Sequence, residues 1–230
     1  MPIIPLEEFK DKHKGQDIYV LASGPSFDYV DPAFLADKIT IGINEIYKRF
    51  APTYLIRKDP DLLRASLQAN PTTTHFISRG QFGGANTKNA DTIRAAPDLS
   101  GYPIVLYSHN QNTHKLPVAL PPDGQLVTSY STIVTAIHLA AYMGAKTILL
   151  IGHDCGTLDK KVNCDGYYTP QNYQISWKNG GESAYRAWVP TIEGDTIALK
   201  PLIKERYGCS IHSINPFINF GLEGHVYSKK

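Results

Sequence analysis

The amino-acid sequence predicts an α/β protein whose mainly parallel sheet is flanked by helices. Three observations predict it. Short apolar runs such as Ile18–Ala22, Ile39–Ile43 and Lys146–Ile151 lack polar alternation, the pattern of strands covered on both faces. These runs alternate with helical patterns, the clearest from Ser131 to Met143, which implies parallel strands joined by helical crossovers. The 230 residues, 42% hydrophobic and 19% charged, suit one α/β core. The expectation is a single Rossmann-like domain over 1–230, with a lid-like insertion at about 155–190.

Residues 5–14 read as a short amphipathic helix, with Leu6 and Phe9 on one side and Gly15 ending it. The strand Ile18–Ala22 breaks at Ser23-Gly24-Pro25-Ser26. Asp31-Pro32 then marks a helix start, with Asp at the N-cap and Pro at the first helical position. Ile39–Ile43 and Thr53–Arg57 are strands that end at Asn44 and at Asp59-Pro60, and His75–Ser78 and Ile104–Tyr107 are two more. Arg79–Asn89, rich in Gly, Asn and Gln, reads as a loop, and so does 108–127. In Ser131–Met143 the residues Ile133, Ile137, Ala140 and Ala141 recur at helical spacing, and Gly144 closes the helix. Residues 155–190 carry Tyr, Asn, Gly and Trp without a period, the mark of a binding loop or lid. Asp195–Tyr207 reads as the last helix and Cys209–Ile214 as the last strand.

Composition removes several classes. No apolar run approaches the ~20 residues that span a bilayer. Met1-Pro2-Ile3-Ile4-Pro5 runs directly into a charged segment, so a cytoplasmic protein is expected. The net charge of +2 comes from scattered basic residues, which is not the footprint of a dedicated DNA-binding module. Three cysteines, Cys155, Cys164 and Cys209, do not make a disulfide framework, and their spacing does not suit zinc.

In open α/β sheets, ligands bind at the carboxyl ends of the strands. Four of those ends carry polar residues here. Ser23, Gly24, Pro25 and Ser26 follow the first strand: glycine permits close backbone approach, and Ser26 offers a hydroxyl and an N–H to a phosphate. A plain turn explains the same residues. Asn44 follows the second strand, where its amide suits a base or ribose edge or caps a helix. Asp59 follows the third, placed for a ribose or substrate hydroxyl or for a turn. Ser129, Tyr130, Ser131 and Thr132 lead the clearest helix, whose N-terminus attracts anions and whose cap they also supply. Asp154 ends the most apolar strand and reads either as a catalytic carboxylate or as an acceptor for backbone N–H groups. His138 lies on an apolar helical stretch and reads as packed, whereas His153 stands at a strand end. Tyr167 and Tyr168 fall in the lid-like segment, where tyrosines grip a phosphate or stack on a base.

Taken in order, the strand plus Gly24-Pro25-Ser26, the strand plus Asn44, Asp59-Pro60, the Ser/Thr-led helix with Gly144, the strand ending Gly152-His153-Asp154, and the last helix and strand reaching Asn215-Pro216 resemble the sialyltransferases of glycosyltransferase family 42. They are also similar to the MptE-like proteins, which include 6-hydroxymethylpterin diphosphokinases and motility accessory factors. The resemblance implies a modified Rossmann fold that binds a nucleotide-activated sugar without a required metal. It implies donor contacts from Gly24, Ser26, Asn44, Asp59, Ser131 or Thr132, and phosphate contacts from Tyr167 or Tyr168. Two positions depart from the family pattern. Asp59 stands where the sialyltransferases have an amide, and Trp188-Val189-Pro190-Thr191 lacks the histidine that serves them as base. Asp154, Glu193 and Asp195 are then the candidates to deprotonate an acceptor hydroxyl. The leading expectation is a glycosyltransferase using a CMP-, CDP- or UDP-sugar on a glycan, a protein or hydroxymethylated phage DNA. An ATP- and Mg²⁺-dependent pterin-alcohol diphosphokinase and a non-catalytic nucleotide-binding protein are the alternatives.

Overall fold

The computed structural model describes residues 3–80, 87–109, 116, 118–155, 163–167 and 181–214, with side chains from 189 onward in the last segment. Eight strands form one sheet: β1 (Asp17–Leu21), β2 (Ile39–Ile43), β3 (Tyr54–Arg57), β4 (Thr74–Ser78), β5 (Ile104–His109), β6 (Gln125–Leu126), β7 (Thr147–Ile151) and β8 (Ser210–Ser213). The helices are α1 (Pro32–Leu35), α2 (Leu63–Ala69), α3 (Lys88–Arg94), α4 (Thr132–Tyr142) and α5 (Gly181–Tyr207). The strand order is β6-β5-β4-β3-β2-β1-β7-β8, and every pairing is parallel. The chain steps outward from β1 to β6, then returns to lay β7 on the other side of β1. That reversal is the place where an open parallel sheet leaves a crevice at its carboxyl edge.

β1 has the two-faced burial that its sequence predicts. Ile18 and Val20 join the core under α4, while Leu21 packs with Phe27, Ile46 and Tyr47 on the other face. Each such side chain contributes about 1.5–3 kcal/mol relative to leaving it in water. α4 is buried along its whole length, between β1–β3 and α5. His138 is packed, as expected: its Nδ1 accepts from the Val127 N–H (2.8 Å) and its Nε2–H faces the Tyr207 hydroxyl (2.9 Å). Gly144, at φ +86°, turns the chain out of the helix in the left-handed region. The Asp31 cap on α1 is also present, accepting from the Ala33 N–H at 2.9 Å.

Several elements differ from the sequence reading, each for a physical reason. Residues 5–14 hold only a one-turn 3-10 helix, Leu6–Phe9. Beyond it the Asp11, His13 and Gly15 N–H groups donate to the carbonyls of Tyr142, Met143 and Gly144 (3.0, 2.8 and 2.9 Å). These donors satisfy the end of α4 instead of extending a helix of their own. α2 was not anticipated, although Leu63 and Leu67 bury one face at i, i+4 spacing. α3 takes Lys88 and Asn89 from the expected loop, and the expected loop 108–127 contains the end of β5 and the two-residue β6. α5 starts at Gly181, well ahead of Asp195 and inside the lid-like span, with Pro190 and Pro201 within it. Among the described residues no helix is long and apolar enough to cross a membrane.

Candidate functional site

The carboxyl ends of β1 and β7 are tied together by their own backbone. Ala22 N–H donates to Ile151 O (2.8 Å) and Gly24 N–H to Gly152 O (2.6 Å). The turn after β1 then folds onto Asp154. Ser26 donates its N–H to Asp154 Oδ2 at 2.6 Å and its hydroxyl to Oδ1 at 2.5 Å. Both residues are buried, Ser26 at 5% exposure and Asp154 at 3%. Charge-assisted bonds of this kind are about twice as strong as neutral ones. The N–H and hydroxyl expected to meet a phosphate are therefore turned to Asp154, and Asp154 has the acceptor role that its sequence position allowed. Ser23 and Gly24 remain on the wall of the crevice.

Gly24 is glycine because of contact, not because of its dihedrals (φ −63°, ψ 155°). A Cβ there would sit 2.5 Å from Asp154 Oδ2 and against the Gly152 carbonyl. Gly24→Ala will push the turn off Asp154 and cost about 3 kcal/mol, the sum of overpacking and weakened buried hydrogen bonds. Urea unfolding measures it; an unchanged midpoint would mean that the turn and Asp154 separate without penalty.

Two adjoining hollows make the crevice. One, about 110 Å³, has Ser23, Gly24, Ser131, Gly152, Asp154 and Ile192 on its walls. The other, about 250 Å³, is bounded by Asn44, Glu45, Arg57, Lys58, Asp59, Asp61, Tyr130 and Thr132. The neighbours Ile43 and Asn44, and Ser131 and Thr132, divide between the two, so the hollows lie side by side as a cleft across the ends of β7, β1, β2 and β3. Asn44 stands at φ +48°, a left-handed conformation that Asn tolerates better than most residues. Among the described residues neither the Asn44 amide nor the Asp59 carboxylate makes a side-chain hydrogen bond. Burial, then Asp61, raises the Asp59 pKa against the pull of Lys58 and Arg57. Ser131 caps α4, accepting from the Ile133 N–H at 3.4 Å, and Thr132 is the first helical residue. Ser129 is fully buried, and its hydroxyl has no hydrogen-bond partner among the described residues.

Sequence reasoning missed the cations of this cleft. Arg57 is buried at the end of β3, where one guanidinium N–H donates to Glu45 (2.7 Å) and another to the Asp61 carbonyl (2.6 Å). It thereby holds the loops after β2 and β3 on either side of Asn44 and Asp59. Lys58 donates to the Ser129 carbonyl. Burial lowers its pKa to about 8, although Asp59 and Asp195 hold it up. Their position at a strand end, directly before Asp59, was the available signal.

α5 supplies the far wall through Val189 and Ile192. Asp195 is one turn beyond Ile192 on the same helix face. It is buried, its Oδ2 has no hydrogen-bond partner among the described residues, and it lies close enough to Lys58 to raise that ammonium's pKa. Glu193 is half-buried and acts electrostatically on the Cys155 thiol. His153 is buried with Nε2 2.7 Å from the Thr196 hydroxyl, which donates in turn to Ile192 O (3.1 Å). Tyr167 is 2% exposed and packs under the turn with Phe27, Tyr47 and Cys164, rather than standing open to a ligand. Tyr168 lies outside the described residues.

No family model matches the chain, and no curated protein matches it by sequence. Solved structures do resemble it. The sialyltransferase CstII from Campylobacter jejuni in complex with cytidine-5'-monophosphate superimposes with a TM-score of 0.53 at 12% identity, over 94% of this chain and 88% of that one. The same enzyme with CMP-3FNeuAc gives 0.52 at 12%, covering 93% and 86%. The monofunctional alpha-2,3-sialyltransferase Cst-I of the same organism gives 0.54 at 16%, covering 94% and 78%. At these identities the likeness is one of fold: the eight-stranded parallel sheet and its order of elements are those of a sialyltransferase-like α/β fold.

Proposed function

We propose that this chain is a glycosyltransferase that takes its sugar from a cytidine or uridine nucleotide donor and requires no metal. The observation that carries the reading is the cleft beside the strand-order reversal, where the Asn44 and Asp59 side chains have no hydrogen-bond partner among the described residues, beside the N-terminus of α4. The fold likeness to sialyltransferases solved with CMP and with CMP-3FNeuAc supports it. Asn44 and Asp59 would meet the base or ribose edges, and Ser131 and Thr132 at the helix start would meet the phosphate. Charge developing on that phosphate as the sugar leaves is what the helix terminus stabilises. Asp195 would take the acceptor's proton. Asp154 has its two oxygens engaged by Ser26 and positions the turn. The acceptor is a hydroxyl of a glycan or protein.

A thermal-shift screen with CMP, CDP, UDP, GDP and ATP, each with and without Mg²⁺, tests the reading. Stabilisation by a cytidine or uridine nucleotide in the absence of Mg²⁺ is expected, and Asn44→Ala will weaken it about tenfold, the loss of one ligand-directed hydrogen-bonding group. Stabilisation only by ATP with Mg²⁺ would instead point to diphosphate transfer and sink the proposal. Binding without slow hydrolysis of any CMP-, CDP- or UDP-sugar would leave a nucleotide-binding protein that does not turn over.

A further inference from the structure

A second cavity, about 380 Å³, opens beside β5, between the segment Ile3–Glu7 and the ends of β4 and β5. Arg79, Arg94 and Ser108 are on its wall. Arg79 follows β4 directly, and its backbone is fixed on both sides: its N–H donates to Tyr107 O (2.9 Å) and its carbonyl accepts from the Ala90 N–H (3.1 Å). Its guanidinium is unlike the others. Arg49, Arg57, Arg64 and Arg206 each hold a carboxylate at 3.2, 2.7, 2.6 and 2.6 Å. Arg79 makes no side-chain hydrogen bond or ion pair among the described residues, and its Nε is buried without a partner. An unsatisfied buried donor on a charged group is costly, and a structure keeps few of them.

The neighbours leave that charge uncompensated. Arg94 faces Asp91 at 3.8 Å, an exposed pair on its own helix, worth little. Among the described residues Glu7 is the one carboxylate on the wall, and its Oε1 is directed to the Gly124 end. A guanidinium with free Nε and Nη groups matches two oxygens of a carboxylate or phosphate in a planar fork, and the Ser108 hydroxyl adds a third donor. An adjoining hollow of about 210 Å³ shares Ile3 and Arg94 and is walled by Ile93, Leu99 and Tyr102, giving room for the body that carries the anion. We propose that the cavity beside Arg79 is an oxyanion site, binding the phosphate or carboxylate group of a small molecule. It is separate from the cleft over β1–β3 and does not depend on the reading of that cleft.

The test uses the full chain. Thermal unfolding is followed in sodium phosphate and in sodium citrate, each against sodium chloride of equal ionic strength. One of the two anions is expected to raise Tm above the chloride control, phosphate identifying a phosphoryl ligand and citrate a carboxylic acid. In Arg79→Gln the half-saturating concentration will rise about tenfold, the loss of one charge-assisted pair, while nucleotide binding is unchanged. Phenylglyoxal labelling of the wild-type protein, mapped by mass spectrometry, provides a readout free of any folding defect. The effective anion will slow modification of Arg79 and not of the exposed Arg64. Equal Tm in all three salts, wild-type titration by Arg79→Gln, or unprotected labelling of Arg79 overturns the proposal.

Discussion

Moving from pH 7 to pH 5 will destabilise this protein by up to about 5 kcal/mol, a large part of the 5–15 kcal/mol that holds a domain together. Three histidines carry the effect. Burial lowers the pKa of His75 and of His153 to about 4 and that of His138 to about 3. Each is neutral in the folded protein, while in the unfolded chain each binds a proton near pH 6.5. Above that pH neither state binds the proton and stability is full. As pH falls below 6.5 the unfolded chain gains protons that the folded chain refuses, so each group costs about 1.4 kcal/mol per pH unit. The loss levels off only as the folded histidines titrate, near pH 4 and below. Burial holds His75 neutral against its own Nδ1–H bond to Thr73 O (2.8 Å), which pulls the pKa up, whereas His138 must stay neutral for its Nδ1 to accept from the Val127 N–H. Asp59 works in the opposite direction, since its raised pKa favours the folded state on acidification, but it is one group against three. Urea unfolding at pH 7, 6 and 5 measures the slope, and replacing any one of the three histidines by a non-titrating residue removes about a third of it. Coincident curves at pH 7 and pH 5 would show that the histidines are protonated in the folded state.

What could be read from the sequence, and what could not, divides by distance along the chain. The strand runs, the Asp31 cap, the Gly144 closure and the buried helix 132–142 depend on neighbours a few residues away, and the structure has them as expected. The Ser26–Asp154 clasp joins residues 128 apart. No local pattern distinguishes a serine waiting for phosphate from one already bonded to a carboxylate. The same holds for Tyr167, whose ring is buried by Phe27 and Tyr47, residues that the sequence places in other elements. The sequence predicts the last helix only from Asp195, and the part ahead of it contains Pro190 and Gly194, both poor in a helix interior. Ile192, ahead of Asp195, packs against the same core as Leu199 and Ile203. The cleft itself was legible at Asn44, Asp59, Ser131 and Thr132, because each stands at a strand end or helix start. Arg57 reads only as the last residue of a strand and Lys58 carries no signal of its own, although both directly precede Asp59.

If the chain transfers sugar as proposed, Asp195→Asn will lower turnover by about 10²–10⁴-fold, the usual contribution of a positioned base, and leave nucleotide affinity unchanged. The substitution keeps shape and volume and removes the ability to accept a proton. Three features single out Asp195 from the other acids. Asp154 is committed, with both oxygens receiving donors from Ser26. Glu193 is half-buried, where solvent competes for its proton. Asp195 has a buried Oδ2 without a hydrogen-bond partner among the described residues, one turn along α5 from Ile192 on the cleft wall, close to an ammonium whose own pKa burial has brought to about 8. A buried carboxylate oxygen lacking a donor costs the folded state, by roughly 1–3 kcal/mol, and such costs gather where chemistry needs them. The Asn variant is therefore expected to be at least as stable as the wild type while losing activity, a combination that a purely structural carboxylate would not give. The readouts are kcat and KM for sugar transfer, nucleotide affinity, and Tm, set beside Glu193→Gln, which should change kcat less than about threefold. Wild-type kcat in Asp195→Asn would remove Asp195 as the base. A fall in Tm together with nucleotide affinity would make it a structural residue of α5.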